Sequence, residues 1–496
     1  MCGIVGMLAQ SNNHVSPEIY ESAIALQHRG QDSAGMATYN GQFHIKKGMG
    51  LVRDVFGQQD MMQLKGNMGI GFNRYTTTGS HSHFEEIQPF IVNAPYGLVF
   101  AFNGNIYNAY QLKMELQERD LRHINSDSDA EVLLNVFAYE LSCTKRRHFF
   151  DAICQAVKGV HERVKGGYSV VMMIAGMGLV AFRDPHGIRP LVWGKRGGFK
   201  AHGRKEQSDH IFASENTMFE VLGFEFYRDV AHGEVVFVDL QSNVHTRIVL
   251  QKEFRPCIFE YVYFARPDAF LNGVSVHRAR LRMGQNLARK IKREYPDLPI
   301  DIVIPAPETA DSAALACAHE LGVRFSKAIV QNKFIGRTFI MAGDKARMQA
   351  NRYKLSVIDF EVNGKNVLVV DDSIVRGNVS RHIVQLMKKH GAKKVYFASA
   401  SPPLRWPDLY GIDLPTRDEY IAYNRTVKEI RENIGADMLI YQDLEDLVEA
   451  VTRRGDLKFS RPHTAYFDGD YPTKDVGGKV LAKVEAYRKK QRSLSI

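Results

Sequence analysis

The sequence predicts an α/β protein built from two halves of different texture. Up to about residue 238, short alternating strands and glycine turns dominate, and helical periodicity appears at 17–28 and 129–141. From about residue 255, apolar strands alternate with helices, which is typical of a parallel sheet with helices on its faces. A length of 496 residues is also too great for one ordinary core, so two or three domains are expected.

The first half is predicted to contain strand-rich sheets with flanking helices. Glycines in the segment 176–178 interrupt the longest apolar run, 170–182, and therefore predict a hairpin whose return strand is 179–183. Residues 241–254 are interpreted as a linker, which places the first domain at 2–238. Alternation of apolar residues predicts the strands 68–73, 98–102, 168–175 and 234–240.

The second half is predicted to be a strand–helix alternation. A helix at 310–321 follows the first strand, and a helix at 380–390 follows the second and ends at Gly391. We place the second domain at 255–460 and a C-terminal extension at 461–496. The apolar strands are predicted at 300–305, 367–370 and 395–399.

An excess of basic residues suits an anionic ligand. The chain has 65 Lys and Arg against 55 Asp and Glu, a net charge of +10. Nucleic acid is the obvious rival ligand, but the basic residues are spread along the chain. The densest clusters, 145–147 and 489–492, lie near element ends or the terminus, where a solvated face is typical. We therefore expect no nucleic-acid partner.

The cysteines and the apolar runs indicate a cytoplasmic protein. The 5 cysteines show no metal-binding spacing, as expected for reduced intracellular thiols. No charged segment followed by an apolar stretch marks a signal peptide at the N-terminus. The apolar run 170–182 is too short to span a bilayer, so we expect no membrane partner.

The chain begins Met1-Cys2-Gly3, and Cys2 is a candidate nucleophile. Removal of Met1, which the small Cys2 side chain favours, would place a thiol and a free α-amine on one residue. The α-amine, with an ordinary pKa of about 8, can accept the proton of the thiol. The alternative interpretation is a buried apolar N-terminal strand that contains a cysteine.

The segment 367–379 predicts a sugar-phosphate site. Four apolar residues form a buried strand, and Asp371 and Asp372 stand at its carboxyl end, where open α/β sheets bind ligands. A loop containing Gly377 then enters a helix whose first amides and dipole favour an anion. The two acids can accept hydrogen bonds from adjacent sugar hydroxyls. The alternative is an ordinary strand end with two solvated aspartates.

Together these motifs resemble a known family. The segment 367–379 resembles the phosphoribosylpyrophosphate (PRPP) signature of type I phosphoribosyltransferases. The segments 260–268, 336–341 and 410–413 extend the likeness, and the whole is similar to the amidophosphoribosyltransferases of purine synthesis. The first half resembles a class II glutamine amidotransferase through Cys2-Gly3-Ile4, His28-Arg29-Gly30-Gln31-Asp32, Arg74-Tyr75, Asn103-Gly104-Asn105 and Ser128-Asp129.

The resemblance implies both a fold and an activity. The fold is an Ntn-hydrolase-like αββα glutaminase sandwich followed by a type I phosphoribosyltransferase domain with a parallel sheet. The implied enzyme uses glutamine to aminate PRPP to 5-phosphoribosylamine, releasing glutamate and pyrophosphate, in the first committed step of de novo purine synthesis. It also implies small-molecule substrates and a homo-oligomer, specifically a homotetramer.

For the glutaminase site, the resemblance assigns the nucleophile, the oxyanion hole and the substrate contacts. Cys2 would attack the glutamine amide while the Asn103 side chain and the Gly104 backbone stabilise the oxyanion. An Asn-Gly pair is also typical of a tight hairpin turn. The expected glutamine-binding residues are Arg29, Arg74, Thr77 and Asp129.

For the transfer site, the resemblance assigns PRPP and Mg²⁺ contacts. Mg²⁺ would lie near Thr309, Asp371 and Asp372, and a sparse site suits an ion that keeps few protein ligands. The segment 333–354 is interpreted as a lid that excludes water from the reaction. The expected PRPP-binding residues are Lys333, Arg337, Asp371, Asp372, Ser373, Arg376, Gly377, Asn378 and Ser380.

The chain departs from the family pattern at several positions. Asn378-Val379 replaces a usual Thr-Thr pair, which removes one phosphate-binding hydroxyl and converts another to an amide.

One branch of the family holds an iron–sulphur cluster on four cysteines. Only Cys257 aligns with one of them, and we therefore expect no cluster. The other three positions are Asp408, His463 and Tyr466.

Two alternatives to this function stay open from the sequence. One is a regulatory PRPP-binding protein with residual glutaminase, for which Asn378-Val379 is the best support. The other is an amidotransferase with a different sugar-phosphate acceptor. The presence of Cys2, Arg74, Asn103 and Asp129 argues against a pure sensor, which has no need of a glutaminase.

Overall fold

The computed structural model describes residues 1–11, 14–75, 84–144, 148–199, 207–332, 355–412, 416–453 and 461–494. The strands of the first half are β1 (Gly3–Leu8), β2 (Ser33–Tyr39), β3 (Phe43–Met49), β4 (Met68–Arg74), β5 (Phe90–Val92), β6 (Leu98–Ile106), β7 (Gly166–Ile174), β8 (Gly178–Arg183), β9 (Val192–Phe199), β10 (Gln207–Ala213), β11 (Glu225–Asp229), β12 (Glu234–Asp239) and β13 (Val244–Ile248). Its helices are α1 (Ser16–Ala25), α2 (Val52–Val55), α3 (Gln58–Gln63), α4 (Ala109–Glu118), α5 (Asp129–Ser142) and α6 (Phe149–Arg163).

These strands form two antiparallel sheets that pack face to face. One has the order β11-β9-β10-β1-β4-β2-β3 and the other β13-β12-β8-β7-β6-β5. Apolar residues of both sheets fill the layer between them. Helices α4, α5 and α6 share a second core with the outer face of the β6–β7–β8 sheet, and α1 packs on the outer face of the other. The αββα sandwich that the resemblance implies is confirmed.

Alternation along β1 explains this layering. Ile4 and Leu8 belong to the apolar layer between the sheets, whereas Val5 and Met7 belong to the core on the α1 side. Gly6 lies on the inter-sheet face, where an added Cβ atom would meet the Cβ of Val171 at 3.0 Å. The two sheets therefore approach closely at this point, and a larger residue than glycine would require Val171 to shift.

The predicted hairpin is confirmed, with β7 and β8 paired from Ser169 and Arg183 to Ile174 and Gly178. Two other predictions need correction. The strand predicted at 98–102 continues to Ile106, because β6 stays paired with β7 along this length. The segment 241–254, predicted as a linker, contains β13, which pairs with β12 and extends the first half beyond residue 238.

The second half contains a parallel sheet in the order β17-β16-β20-β21-β22, and two antiparallel strand pairs, β14-β15 and β18-β19, lie outside that sheet; the bounds of all these strands follow. Its strands are β14 (Phe270–Leu271), β15 (Val274–Ser275), β16 (Ile302–Pro305), β17 (Arg324–Phe325), β18 (Ile329–Gln331), β19 (Leu355–Val357), β20 (Asn366–Asp371), β21 (Lys394–Ser399) and β22 (Met438–Tyr441). Its helices are α7 (Val276–Glu294), α8 (Asp311–Leu321), α9 (Asp359–Val362), α10 (Asn378–Lys389), α11 (Val427–Ile434), α12 (Leu444–Thr452), α13 (Ala465–Asp468) and α14 (Gly478–Leu494).

Helices cover both faces of this parallel sheet. Residues of α10 and α11 pack on one face, and residues of α7, α8 and α12 pack on the other. Strand β20 is buried along its whole length, as its run of apolar residues predicts for a strand covered on both sides. None of the helices in the described ranges has both the length and the apolar character needed to cross a bilayer.

The segment 461–494 ties the two halves together. Thr473 contacts the hydroxyls of Tyr107, from the first half, and Tyr410, from the second, at 3.1 and 2.8 Å. Glu485 in α14 forms an ion pair with Arg417 at 2.9 Å. The limits of the three domains stay a prediction, although these contacts join the extension to both of the others.

The four positions that correspond to cluster cysteines lie together in the interior. The Cys257 sulphur is 3.6 Å from the Tyr466 hydroxyl, and His463 Nε2 is 3.0 Å from Asp408 Oδ1. The other oxygen of Asp408 accepts backbone N–H groups from Tyr410 and Ile412. Burial opposes ionisation of Asp408, but these hydrogen bonds outweigh it and lower its pKa. The carboxylate therefore anchors the 408–412 turn.

We predict that Asp408→Asn destabilises the protein by about 3–5 kcal/mol, because it leaves buried donors without their charged acceptor. Urea unfolding followed by circular dichroism measures the change. Asp268→Asn is the matched control, because Asp268 is exposed and paired with Arg266 at 2.8 Å. The control should change stability by less than about 1 kcal/mol. Equal stabilities of the two variants would contradict the anchoring role.

Candidate active sites

Cys2 lies immediately before β1, in the apolar layer between the two sheets. It continues the alternation of Ile4 and Leu8, so its side chain faces the second sheet rather than α1. The Cys2 sulphur lies 3.5 Å from the backbone nitrogen of Tyr75 and 3.6 Å from its carbonyl oxygen. Burial raises the pKa of the Cys2 thiol, so deprotonation requires a base close by.

Asn103 faces Cys2 from strand β6 of the opposite sheet. Its Oδ1 accepts a hydrogen bond from the Cys2 backbone nitrogen at 3.2 Å. Its Nδ2 is buried and has no hydrogen-bond partner among the described residues. A buried amide donor without a partner is costly, and its position beside a thiol is the arrangement expected of an oxyanion hole.

Gly104 follows Asn103 within β6 and is paired opposite Tyr168. The Asn-Gly pair therefore lies inside a strand and not in a hairpin turn. A Cβ atom at Gly104 would come within 2.2 Å of the carbonyl oxygen of Gly167. Gly411, in the second half, packs against the backbone of Gly104. A Cβ atom built on Gly411 would lie 3.1 Å from the carbonyl carbon of Gly104. The close approach of three backbone segments requires glycine here.

Arg74 and Asp129 lie near the thiol, and the charges of both affect the pKa of Cys2. Arg74 ends β4 and is held by buried Glu86, with Nη2 2.5 Å from Oε2. Asp129 is the first residue of α5, after the N-cap Ser128, and its Oδ2 accepts the N–H of Ile106 at 2.9 Å. Burial raises the pKa of Asp129 to about 6.

Arg29 lies beside Cys2 but is engaged by protein groups. Its Nε donates to the Cys2 carbonyl oxygen at 3.1 Å. Its other nitrogens pair with Glu215 and Glu260, and all three side chains are buried. The resemblance implies that Arg29 contacts glutamine, and this stays a prediction; in the structure its guanidinium supports the backbone of Cys2. Thr77, another expected contact, lies outside the described residues.

The second candidate site lies at the carboxyl end of β20. Asp371 and Asp372 are nearly buried, at 9% and 8% exposure. Asp371 Oδ1 accepts the backbone N–H of Asp372 at 2.9 Å, and Asp372 accepts hydroxyl hydrogen bonds from Ser373 and Thr309. Burial raises the pKa of both acids, and the charge of Asp372 raises that of Asp371 further.

The loop after the acid pair leads into α10 through a left-handed glycine. Gly377 has φ of 77°, and a Cβ atom there would meet Ile421 at 2.2 Å. Ser380 is buried in the first turn of α10. Arg376 pairs with Glu419 at 2.9 Å, and the Asn378 side chain accepts from Arg381 at 3.3 Å. Lys333 and Arg337, and the predicted lid 333–354, lie outside the described residues.

The donor set at this site suits a hard divalent cation. Carboxylates of Asp371 and Asp372 and the hydroxyl of Thr309 are oxygen donors, and a cation would offset the charge that burial disfavours. Within the described ranges, no group of three or more His, Cys, Asp or Glu is arranged to hold a metal ion. An Mg²⁺ site with few protein ligands, completed by substrate oxygens, fits this arrangement.

Three acidic residues that support these sites were not among the predicted site residues. Glu86 holds Arg74, while Glu215 and Glu260 hold Arg29. Glu215 and Glu260 lie 186 and 231 residues from Arg29, whereas Glu86 lies 12 residues from Arg74. The signal available in the sequence was a family-like segment beginning at Glu260, but nothing local connects it with Cys2.

Known proteins are similar to nearly the whole chain. A family described as "Glutamine amidotransferase domain" matches residues 78–219. An amidophosphoribosyltransferase of Pseudomonas aeruginosa is 49% identical over 491 residues, covering 98% of this chain and 96% of that protein. The one from Escherichia coli is 48% identical over 494 residues, with 98% and 96% coverage.

The fold of this chain is also similar to that of a solved structure. It is a glutamine PRPP amidotransferase from B. subtilis, complexed with ADP and GMP. It superposes with a TM-score of 0.81 at 33% identity and covers 95% of this chain and 97% of that chain. The likeness therefore includes both halves and their arrangement.

Proposed function

This chain belongs to the amidophosphoribosyltransferase family, and from that premise we propose how its two sites divide the reaction. It is an enzyme of the first step of purine biosynthesis. Glutamine, PRPP and water yield 5-phosphoribosylamine, glutamate and pyrophosphate. The first site releases ammonia from glutamine, and the second transfers it to PRPP. The observation that best supports the first role is the unpartnered Asn103 amide beside Cys2.

At the first site, Cys2 is the nucleophile. Its thiolate attacks the side-chain amide carbon of glutamine, and the oxyanion is stabilised by Asn103 Nδ2 and the Gly104 backbone. The tetrahedral intermediate collapses to a γ-glutamyl thioester and ammonia, and water then releases glutamate. After removal of Met1, the Cys2 nitrogen next to Asn103 Oδ1 is an α-amine that can take the thiol proton.

Arg74 and Asp129 hold the other end of glutamine in this proposal. Arg74 pairs with the α-carboxylate, and Asp129 pairs with the α-ammonium. Glu86 orients Arg74 through its buried ion pair. Charge complementarity at both ends of a zwitterion explains why oppositely charged side chains lie close to one thiol.

At the second site, PRPP binds across the acid pair and the loop. Asp371 and Asp372 accept hydrogen bonds from the ribose hydroxyls, and the amides of residues 373–380 hold the 5′-phosphate. Asp371, Asp372 and Thr309 would hold Mg²⁺, which when bound neutralises charge on the pyrophosphate. Ammonia attacks C1 of the ribose, the C1–oxygen bond breaks, and pyrophosphate leaves with the bonding pair.

We also propose a homo-oligomer, with a homotetramer as the specific form, and a cytoplasmic location. Both rest on the likeness to the family and on the expected reduced cysteines. The cysteines of the described chain are free, with no disulphide between them. The partners in this proposal are the small molecules glutamine and PRPP.

Asn103→Asp removes the unpartnered donor and keeps the shape of the side chain. We predict that kcat for glutamine hydrolysis falls by about 10²–10³-fold, because one oxyanion donor is lost. Steady-state measurement of glutamate release gives the value. Ammonia-dependent synthesis in the same preparation serves as the control and should be retained. A loss of less than about fivefold would exclude Asn103 from the oxyanion hole.

The pKa of Asp129, about 6, predicts a pH dependence of glutamine use. The ionised carboxylate binds the α-ammonium, so kcat/KM for glutamine should fall about tenfold per pH unit as pH drops below this value. A pH profile from pH 5 to 8 measures it. In Asp129→Asn the profile should be low and lack this inflection. An unchanged inflection in that variant would assign the titration to another group.

Cys2→Ser and Asp371→Asn separate the two half-reactions. We predict that Cys2→Ser abolishes glutamine-dependent synthesis and retains ammonia-dependent synthesis, because the second site is intact. Asp371→Asn weakens charge-assisted bonds to the ribose, so both syntheses should fall by about ten- to hundredfold. Phosphoribosylamine formation, followed as PRPP-dependent pyrophosphate release, measures each rate.

The unaltered enzyme is the control for these assays. Glutamine hydrolysis without any transfer to PRPP would contradict the proposed function and favour a regulatory PRPP-binding protein. Transfer to another sugar phosphate at a higher kcat/KM than to PRPP would indicate a different acceptor. Unchanged PRPP affinity in both Asp371→Asn and Asp372→Asn would contradict the assignment of the acid pair.

A further inference from the structure

Glu260 belongs to the second half of the chain, but it binds Arg29 of the first half, the residue that donates to the backbone of Cys2. It begins a π-helical turn, Glu260–Phe264. Its carboxylate binds Arg29 through two hydrogen bonds, from Nη1 to Oε2 at 3.0 Å and from Nη2 to Oε1 at 2.8 Å. Both side chains are buried. A two-pronged pair of this kind fixes orientation as well as charge.

Arg29 transfers this orientation to the backbone of Cys2. Its Nε donates to the Cys2 carbonyl oxygen at 3.1 Å, while its Nη1 also reaches Glu215. Because the guanidinium is planar, fixing two of its edges with carboxylates fixes the direction of the third. Asn103 holds the nitrogen of Cys2 from the opposite side. The backbone of the nucleophile is therefore clamped at both its nitrogen and its carbonyl.

The π-helical turn is itself anchored from the second half. Arg280, on α7, donates to the carbonyl oxygens of Tyr261 at 2.9 Å, Tyr263 at 3.0 Å and Ala265 at 2.8 Å. These bonds leave the turn little freedom to rotate. The position of Glu260 is thus determined by α7, which packs on the sheet that carries the acid pair.

The charges around Arg29 predict that the Arg29–Glu260 ion pair can be altered without unfolding the protein. Glu215 and Glu260 share one arginine, and Glu215 also accepts from His28 at 2.9 Å. Replacing Glu260 by glutamine leaves Arg29 paired with Glu215, so no buried charge loses its only partner. The change removes one oriented bond and one negative charge.

We infer that Glu260 is a positioning residue for Cys2 and acts through Arg29, so that the second half of the chain completes the support of the nucleophile. This inference rests on the proposed role of Cys2. Glutamine itself is held by Arg74 and Asp129, which Glu260 does not contact. Loss of Glu260 should therefore slow the attack by Cys2 much more than it weakens glutamine binding.

Glu260→Gln in the full chain tests this inference. We expect kcat for glutamine hydrolysis to fall at least about tenfold, glutamine KM to change less than about threefold, and ammonia-dependent synthesis to stay within about twofold. Glu432→Gln is the matched control, because Glu432 is exposed and lies 3.5 Å from Arg431. It should leave all three quantities unchanged.

A double-mutant cycle with Arg29→Lys identifies the route of the effect. Lysine keeps the charge but cannot make the two-pronged pair and the bond to Cys2 together. If Glu260 acts through Arg29, the double variant should be no slower than Arg29→Lys alone. If the losses of kcat in the two single variants multiply in the double variant, the inference is overturned. Glu260→Asp, which keeps the charge and shortens the reach, should show an intermediate loss and gives a second reading if Glu260→Gln does not fold.

The remaining outcomes separate this inference from the proposed function. Equal losses of glutamine hydrolysis and ammonia-dependent synthesis would make Glu260 a general structural residue and overturn the inference. A rise in glutamine KM alone would place it in substrate binding and also overturn it. Absence of ammonia-dependent synthesis in the unaltered enzyme would contradict the proposed function, while the effect of Glu260 on glutamine hydrolysis would still be measurable.

Discussion

The first site depends on the position of β1 in the centre of its sheet. This strand pairs antiparallel with β4 on one side and β10 on the other, and its alternate residues fill the layer between the two sheets. Cys2 continues that alternation, so its thiol faces Asn103 of the second sheet. Since side chains on a strand alternate with a period of two, a register shift of one residue would turn the thiol toward α1.

The packing of the two halves sets the environment of this thiol. One hydrophobic core runs from Val5 and Met7 in β1 to Met283 and Leu287 in α7. Arg29, Glu215 and Glu260 are buried within the same region, where an unpaired charge would cost several kcal/mol. Their mutual pairing satisfies these charges, and it requires both halves to be in place. The environment of Cys2 therefore depends on the whole chain more than on the N-terminal sandwich alone.

Local patterns in the sequence were sufficient to predict the sheets and the acid pair. They were insufficient to predict ion pairs between residues far apart in the sequence. The apolar run before Asp371 predicts β20 because strand, acids and glycine loop are contiguous. The strand β13 was missed because it is mostly exposed at a sheet edge and shows no apolar alternation. The roles of Glu215 and Glu260 could not be predicted because they arise only when segments distant in sequence meet. Asn103-Gly104 was ambiguous until its pairing with β7 placed it in a strand.

The loop that we propose to bind phosphate has a backbone geometry that can tolerate the unusual Asn378-Val379 pair. Val379 is 61% exposed, and the Asn378 side chain is within reach of Arg381, so neither side chain is committed to the loop interior. Gly377, in its left-handed conformation, turns the chain so that the first amides of α10 face the loop. Those N–H groups are present whatever side chains residues 378 and 379 carry, and the helix dipole adds to them. In the proposed PRPP site, loss of the Thr-Thr hydroxyls therefore removes side-chain donors while the backbone amides remain.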